Sequence, residues 1–298
     1  MTPVLELLQV EKQRGKFRFG PINLAVEGGM VAALVGPNGS GKTTLFRTLM
    51  GLIRPERGEV RLFGEPLAPG NDAAAKARIG YVAEPFAPLD DNMTVEQWGR
   101  FVARWYPTWD EMTWRRLVER LELEPDQKLK ELSVGTAKRL DFALALSRNP
   151  ELLLLDEPSS GLDPFAWRIM IEEIQRFMEP GDRTAFIATH SMEEVRRLAD
   201  VIVFMYQGAI IGVYEKDSLL ADWKTMWVQD DAEHVRELPG VVSAEPTARA
   251  GVVRLVTREA GRAEAELRRR GTLPIEMRAV ELEDILWHLM KQNQNGSV

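Results

Sequence analysis

Three short stretches of the chain hold residues whose types and order could do phosphate chemistry. The first is Gly36-Pro-Asn-Gly-Ser-Gly-Lys-Thr43, which fits G-x-x-x-x-G-K-[ST]. Glycines at these places let the backbone wrap an anion so that successive N–H groups point inward. The N-terminus of a following helix adds a positive field. Lys42 would set a cation against the outer phosphates, and the Thr43 hydroxyl suits Mg²⁺. The second stretch, Leu152-Leu-Leu-Leu-Asp-Glu-Pro158, is an apolar run ending in two carboxylates. Asp156 could hold a Mg²⁺ water shell there, and Glu157, pointing differently, could polarise an attacking water as general base. Carboxylates buried at a strand end for structure alone would each need a partner. The third is His190, just after the apolar run Thr184–Thr189. Taken alone, a histidine there reads as an ordinary structural residue.

These residues need strands and helices in alternation to hold them. Met30–Val35 reads as a buried strand, followed by the glycine-rich loop and a helix over Thr43–Met50. Leu152–Leu155, Thr184–Thr189 and Val201–Tyr206 read as further buried strands, the pattern of an α/β fold. Ser191 and Glu194 have capping-box spacing for a helix start, as do Thr94 and Gln97. Asp90–Arg148 differs from its surroundings: it is rich in helix formers and holds Trp98, Trp105, Trp109 and Trp114. It is expected to be a helical insertion with the tryptophans as its core. After about Asp222 the pattern changes again. Strands are expected at Thr225–Gln229, Val241–Glu245, Val252–Thr257 and Ile275–Ala279, and helices at Glu259–Arg270 and Glu281–Gln292. That predicts a separate α+β unit, near the low end of size for an independent core. Its stripe Leu282, Ile285, Leu286, Leu289 and Met290 should pack on its own sheet, with Asn293–Val298 as an unstructured tail.

Composition removes whole classes of function. With no cysteine, disulfides, thiolate zinc sites, iron–sulfur centres and cysteine nucleophiles are excluded. Three histidines leave little room for a histidine metal cage. Acidic residues outnumber basic ones 45 to 38, a net charge of −7, which argues against nucleic acid as the main partner. The apolar runs are far shorter than the roughly 18 residues a helical membrane span needs. Met1–Leu8 lacks the basic region and long apolar core of a signal peptide, so the cytoplasm is the expected compartment. No Asn/Thr-Lys-x-Asp guanine-reading motif follows a later strand, which argues against a GTPase.

Further motifs carry a family resemblance. Leu132-Ser-Val-Gly-Thr-Ala-Lys-Arg139 resembles the L-S-G-G-Q signature of ATP-binding cassette (ABC) proteins. Ser160-Gly-Leu-Asp163 resembles their D-loop, and His190 is similar to their switch histidine. The order of the motifs is the ABC order, and the likeness covers about residues 4–220. It implies an α/β P-loop NTPase fold: an ABC cassette with a RecA-like core and a helical subdomain at about 90–148, within a domain 1–222, followed by the α+β unit 223–298. ATP would be held by Gly36, Pro37, Asn38, Gly39, Ser40, Gly41, Lys42, Thr43 and Thr44. Phe17 or Arg14 would stack on adenine, although Phe17 alone reads equally as a core strand residue. Mg²⁺ would fall to Thr43, Glu84 and Asp156, and hydrolysis to Glu157 and His190. Ser133, Gly135 and Thr136 would close over the γ-phosphate of a second nucleotide-binding domain, with Asp163 in the D-loop. In isolation Ser133 reads as a plain helix cap. The chain departs from the family pattern in three places: Val134 replaces the first signature glycine, Thr136 the glutamine, and Glu84 the usual Mg²⁺-contacting glutamine.

Trp105-Tyr-Pro-Thr-Trp-Asp110, Glu84 and the C-terminal unit together resemble the ATPases of bacterial ABC-2-type exporters. That resemblance implies separate transmembrane permease subunits, a homodimer or heterodimer of cassettes, and a place on the inner face of the membrane. The alternative is a soluble ABC ATPase acting on ribosomes or DNA. Those versions usually carry two cassettes, long coiled coils or cysteine zinc sites, none of which the sequence contains. A third reading makes the C-terminal unit a ligand sensor and the protein a regulator.

Overall fold

The computed structural model describes residues 3–15, 17–68, 70, 72–83 and 90–295. Two compact units divide the chain, residues 1–210 and 211–298. The expected boundary lay after Asp222. The division falls earlier because the helix over Lys216–Asp222 packs against a helix of the second unit, Ala260–Arg269.

In the first unit β1 (Leu5–Arg14) and β2 (Phe17–Val26) form an antiparallel pair. After β3 (Val31–Val35) and α1 (Lys42–Leu49) come β4 (Arg57–Leu62) and β5 (Glu65–Pro66), which complete a sheet of order β2-β1-β4-β5. Next are α2 (Ala73–Ala77), β6 (Ile79–Val82), α3 (Val95–Ala103), α4 (Glu111–Arg120) and α5 (Val134–Ser147). Then follow β7 (Leu152–Asp156), α6 (Pro164–Met178), β8 (Thr184–Thr189), α7 (Met192–Leu198) and β9 (Val201–Tyr206), and β10 (Ala209–Glu215) runs across the division at residue 210.

The second sheet has the order β10-β9-β3-β8-β7-β6, with β9, β3, β8, β7 and β6 running parallel. Its central strands are apolar throughout because both faces are covered. Leu152, Leu154 and Phe186 face one core with Leu45 and Phe46 of α1. Leu153, Leu155 and Ile187 face the other with α3, α4, α5 and α6. The phosphate loop, Asp156 and His190 follow the carboxyl ends of β3, β7 and β8, three adjacent strands. That edge is where open α/β sheets bind ligands.

Residues 90–148 are helical, as their composition implies. Thr94 and Gln97 make a complete capping box at the start of α3. Trp98 and Trp114 are buried and Trp109 packs against them. Trp105 departs from the expected tryptophan core: it lies beyond the end of α3, 70% exposed, with only an edge contact to Phe101. The second cap is half of the expected box. Ser191 accepts from the Glu194 N–H at 3.4 Å, but the Glu194 carboxylate turns instead to the Ser159 hydroxyl.

The second unit contains α8 (Lys216–Asp222), β11 (Lys224–Gln229), α9 (Ala232–Arg236), β12 (Val241–Pro246), β13 (Val252–Thr257), α10 (Ala260–Arg269), β14 (Pro274–Ala279) and α11 (Leu282–Asn295). Its antiparallel sheet has the order β12-β13-β11-β14. Met226, Val228 and Leu255 pack under α9 and α10. Leu282, Ile285, Leu286 and Leu289 are buried along α11, and Met290 is half-buried. That helix continues through Asn295, so the tail expected from Asn293 is helical as far as it is described. Among the described residues no helix is long and apolar enough to cross a membrane.

Candidate functional site: a phosphate loop facing paired carboxylates

The glycines of the loop after β3 are demanded by geometry at two places. Gly36 lies so close to β9 that a Cβ would sit 2.1 Å from the Met205 carbonyl oxygen. Gly41 caps α1 with φ of 113°, a left-handed conformation that side chains rarely adopt. Having no side chain, Gly41 leaves the first-turn N–H groups of α1 uncapped, the arrangement that receives anions. The Ser40 hydroxyl is buried in the loop without a hydrogen-bond partner, a donor fit for a phosphate oxygen.

Lys42 is buried at the first position of α1. Its Nζ donates to the Gly36 carbonyl at 2.8 Å and pairs with Glu157 Oε1 at 3.1 Å. The other Glu157 oxygen, Oε2, lies 2.7 Å from His190 Nδ1. Residues 42, 157 and 190 thus meet on one carboxylate, although they are far apart in the chain. Asp156 turns the other way and accepts from the Thr43 hydroxyl at 3.4 Å. Burial raises its carboxyl above the ordinary aspartate range, opposed by that hydrogen bond, with the neighbouring Glu157 charge adding to the rise. A divalent cation against Asp156 would relieve that burial cost.

Phe17 is half-buried at the start of β2, and a Cβ on Gly41 would lie 3.3 Å from its ring. It lines a cavity of about 720 Å³ with Thr44, Arg47, Ile53 and Tyr81. The cavity adjoins the phosphate loop, so an aromatic base with its phosphates in the loop could reach the Phe17 ring. The side chain of Arg14 and the whole of Glu84 lie outside the described residues.

The signature residues form a second group. Ser133 caps α5, accepting from the Thr136 N–H at 3.1 Å, and its hydroxyl is 2.8 Å from that of Thr136. Gly135 packs on the D-loop, where a Cβ would come within 2.8 Å of the Gly161 carbonyl oxygen. Asp163 caps α6, accepting from the N–H groups of Phe165 and Ala166 at 2.9 and 3.0 Å. Among the described residues no hydrogen bond or ion pair joins Ser133, Gly135 or Thr136 to Lys42, Glu157 or His190. Val134 and Phe165 stand 68% and 81% exposed beside the signature and the D-loop, an apolar surface at this second group.

Two residues of α5 make contacts near the site that the motifs do not assign. Lys138 and Asp141 lie three apart on α5, a helix otherwise rich in alanine and leucine. The Asp141 carboxylate accepts from the Ala83 N–H at 3.2 Å, just beyond β6. A charged pair on an apolar helix is the one signal that could have marked them. Burial pushes the Asp141 carboxyl up to about 6, against the lowering effect of Arg148, the Ala83 N–H and Lys138. The folded chain therefore holds this proton more tightly than the unfolded chain, and its contribution to stability falls as pH rises from about 4 to 6. Asp141→Asn keeps an acceptor for Ala83. It is expected to flatten the pH dependence of the denaturation midpoint in that window and to gain about 1–2 kcal/mol near pH 7. Urea titrations between pH 4 and 8 check this, and an unchanged slope in the variant would remove Asp141 as its source.

A family model described as ABC transporter matches residues 19–160. The Nod factor export ATP-binding protein I of Cupriavidus pinatubonensis is 38% identical over 208 residues, covering 68% of this chain and 63% of that protein. The chain thus spans just under two thirds of that relative's length. The protein of the same name from Bradyrhizobium diazoefficiens is 34% identical over 223 residues, 72% of each chain. Among solved structures, a dimeric ATP-binding cassette in a post-hydrolysis state with ADP and Pi superposes with a TM-score of 0.63. It is 23% identical and covers 71% of this chain and 98% of that one. The chain belongs to the ABC transporter family, and its first unit has the fold of an ATP-binding cassette.

Proposed function

We propose that the chain hydrolyses ATP at the Lys42–Glu157–His190 cluster and so powers an exporter of the ABC-2 type. The observation that carries this reading is the meeting of a phosphate-loop lysine and a strand-end histidine on one carboxylate. ATP phosphates entering the glycine loop would draw the Lys42 ammonium from Glu157 to the β- and γ-oxygens. The freed carboxylate, still held by His190, would orient and deprotonate the attacking water. Gly36 to Thr44 supply the anion cradle and Phe17 the adenine platform.

Thr43 and Asp156 offer hard oxygen donors on the phosphate side of the loop. That donor set suits Mg²⁺, which commonly takes one or two carboxylates and fills its shell with water and phosphate oxygens. Bound there, Mg²⁺ would neutralise charge building on the phosphates. Glu84 belongs to the same proposed set.

Ser133, Gly135 and Thr136 would serve the nucleotide of a second cassette, from another copy of this chain or from a related one, with Asp163 holding the D-loop beside them. The apolar Val134 and Phe165 on this face support such pairing. Separate transmembrane permease subunits would carry the substrate, with this chain on the inner face of the membrane. We place the functional boundary of the cassette at about residue 222, and give the unit after it an accessory role. Native purification from detergent-solubilised membranes tests the partner class. A stoichiometric multi-span membrane protein is the expected companion; co-purification with ribosomes would favour the non-transport alternative.

A further inference from the structure

We propose that Lys138 is a positioning residue that ties the signature helix to the backbone of Glu157. The proposal rests on the reading of Glu157 as general base. Lys138 is 5% exposed on α5, and its Nζ donates to the Glu157 carbonyl oxygen at 2.7 Å. Glu157 has φ of 48°, a left-handed conformation unfavourable for a residue with a side chain. Such a backbone persists only where its surroundings hold it from several sides. Here the Glu157 N–H donates to Ala188 of β8 at 2.8 Å, and its carbonyl accepts from Lys138 and, at 3.1 Å, from the Ser160 N–H. Its carboxylate spans Lys42 and His190. The N–H contact comes from β8, and the carboxylate contacts come from α1 and from the residue after β8. The Lys138 contact is the one that comes from the helix whose N-terminus carries Ser133.

This has a consequence for how the two halves of the enzyme communicate. The first turn of α5 presents the signature, and Lys138 follows Gly135 by a single turn on the same helix. One turn further, Asp141 grips the Ala83 N–H at the end of β6. A rigid helix cannot shift at its signature end without moving the group that holds Glu157. Closure of the signature on a neighbouring nucleotide would therefore be felt at this chain's own general base, through one buried ammonium.

The test uses the full-length chain and reads turnover and nucleotide affinity separately. Lys138→Met is expected to lower kcat about 10- to 100-fold, the cost of misplacing a reacting group by about an ångström, while ATP affinity stays within twofold. Lys138→Arg, which still reaches the carbonyl, should recover most of the turnover and guards against a mere folding defect. In a Glu157→Gln background, adding Lys138→Met should cost less than twofold more, because its effect runs through Glu157. Near wild-type turnover in Lys138→Met, or an equal loss in both backgrounds, would overturn the proposal while leaving the general base in place. Wild-type turnover in Glu157→Gln would instead overturn the base assignment, and this proposal with it.

Discussion

Glu157→Gln is expected to lower steady-state ATP turnover about 10²–10⁴-fold while leaving ATP binding intact. The amide keeps the size of the side chain and one oxygen for His190, so the loop geometry should survive. What is lost is the basicity that takes a proton from water, along with the negative charge that pairs with Lys42 at 3.1 Å. Removing that charge also frees Lys42 for phosphate, so affinity should hold or tighten. Slow hydrolysis leaves nucleotide in place, and a cassette pair closed on it should accumulate. Size-exclusion chromatography of the variant with ATP and Mg²⁺ is expected to show a dimer, and Ser133→Arg in the same chain should abolish it. Near wild-type turnover would take Glu157 out of the base role. A dimer unaffected by Ser133→Arg would take the signature out of the closure.

How much of this was legible before the coordinates follows from sequence distance. The phosphate loop, Asp156 with Glu157, and the Thr94 cap are written within a few consecutive residues, so residue type and spacing expose them. The strands of the second unit were legible for the same reason: alternation and turn residues are local signals. Contacts between distant residues were not. Nothing near Lys138 in the chain says that its ammonium will meet the Glu157 carbonyl, and nothing near Glu194 says that its carboxylate will leave the cap for Ser159. Both depend on α5 and α7 docking beside the β7 loop, which only tertiary packing decides. The division into compact units at residue 210 depends on packing in the same way. The segment 211–222 has an unremarkable sequence, and its allegiance is set by α8 packing on α10. The short helices α8 and α9, of 7 and 5 residues, gave too few periods for an apolar stripe to show.

The chemistry of the site depends on which charges share Glu157. The carboxylate has two neighbours that phosphate would treat differently. An incoming anion would attract Lys42 away, whereas His190 would stay on the far oxygen. On the proposed mechanism, binding and activation would be one event: the phosphates that recruit the lysine would also release the base. The positive φ of Glu157 fits this picture, since a backbone held at its N–H and its carbonyl lets the carboxylate change partners without the chain moving.

Lys42→Ala should consequently fail in a different way from Glu157→Gln, and the contrast is measurable. The lysine contributes to the ground state as well as to the transition state, because its cation meets phosphate charge from the moment of binding. Hydrogen bonds to charged groups contribute about 1.5–3 kcal/mol, so ATP affinity is expected to drop about 10- to 150-fold. Turnover at saturating ATP should fall further, by about 10²–10³, since charge on the leaving phosphate is no longer neutralised by the buried ammonium. The variant should remain folded: the alanine suits the first turn of α1, and Glu157 keeps His190 as a partner. Calorimetry with ATP and Mg²⁺ separates the two effects, with circular dichroism confirming the fold. Glu157→Gln is expected to show tight binding without turnover, and Lys42→Ala weak binding without turnover. Unchanged ATP affinity in a folded Lys42→Ala protein would mean that the ammonium stays with Gly36 and Glu157 when nucleotide binds, and the partner exchange on which this mechanism turns would be lost.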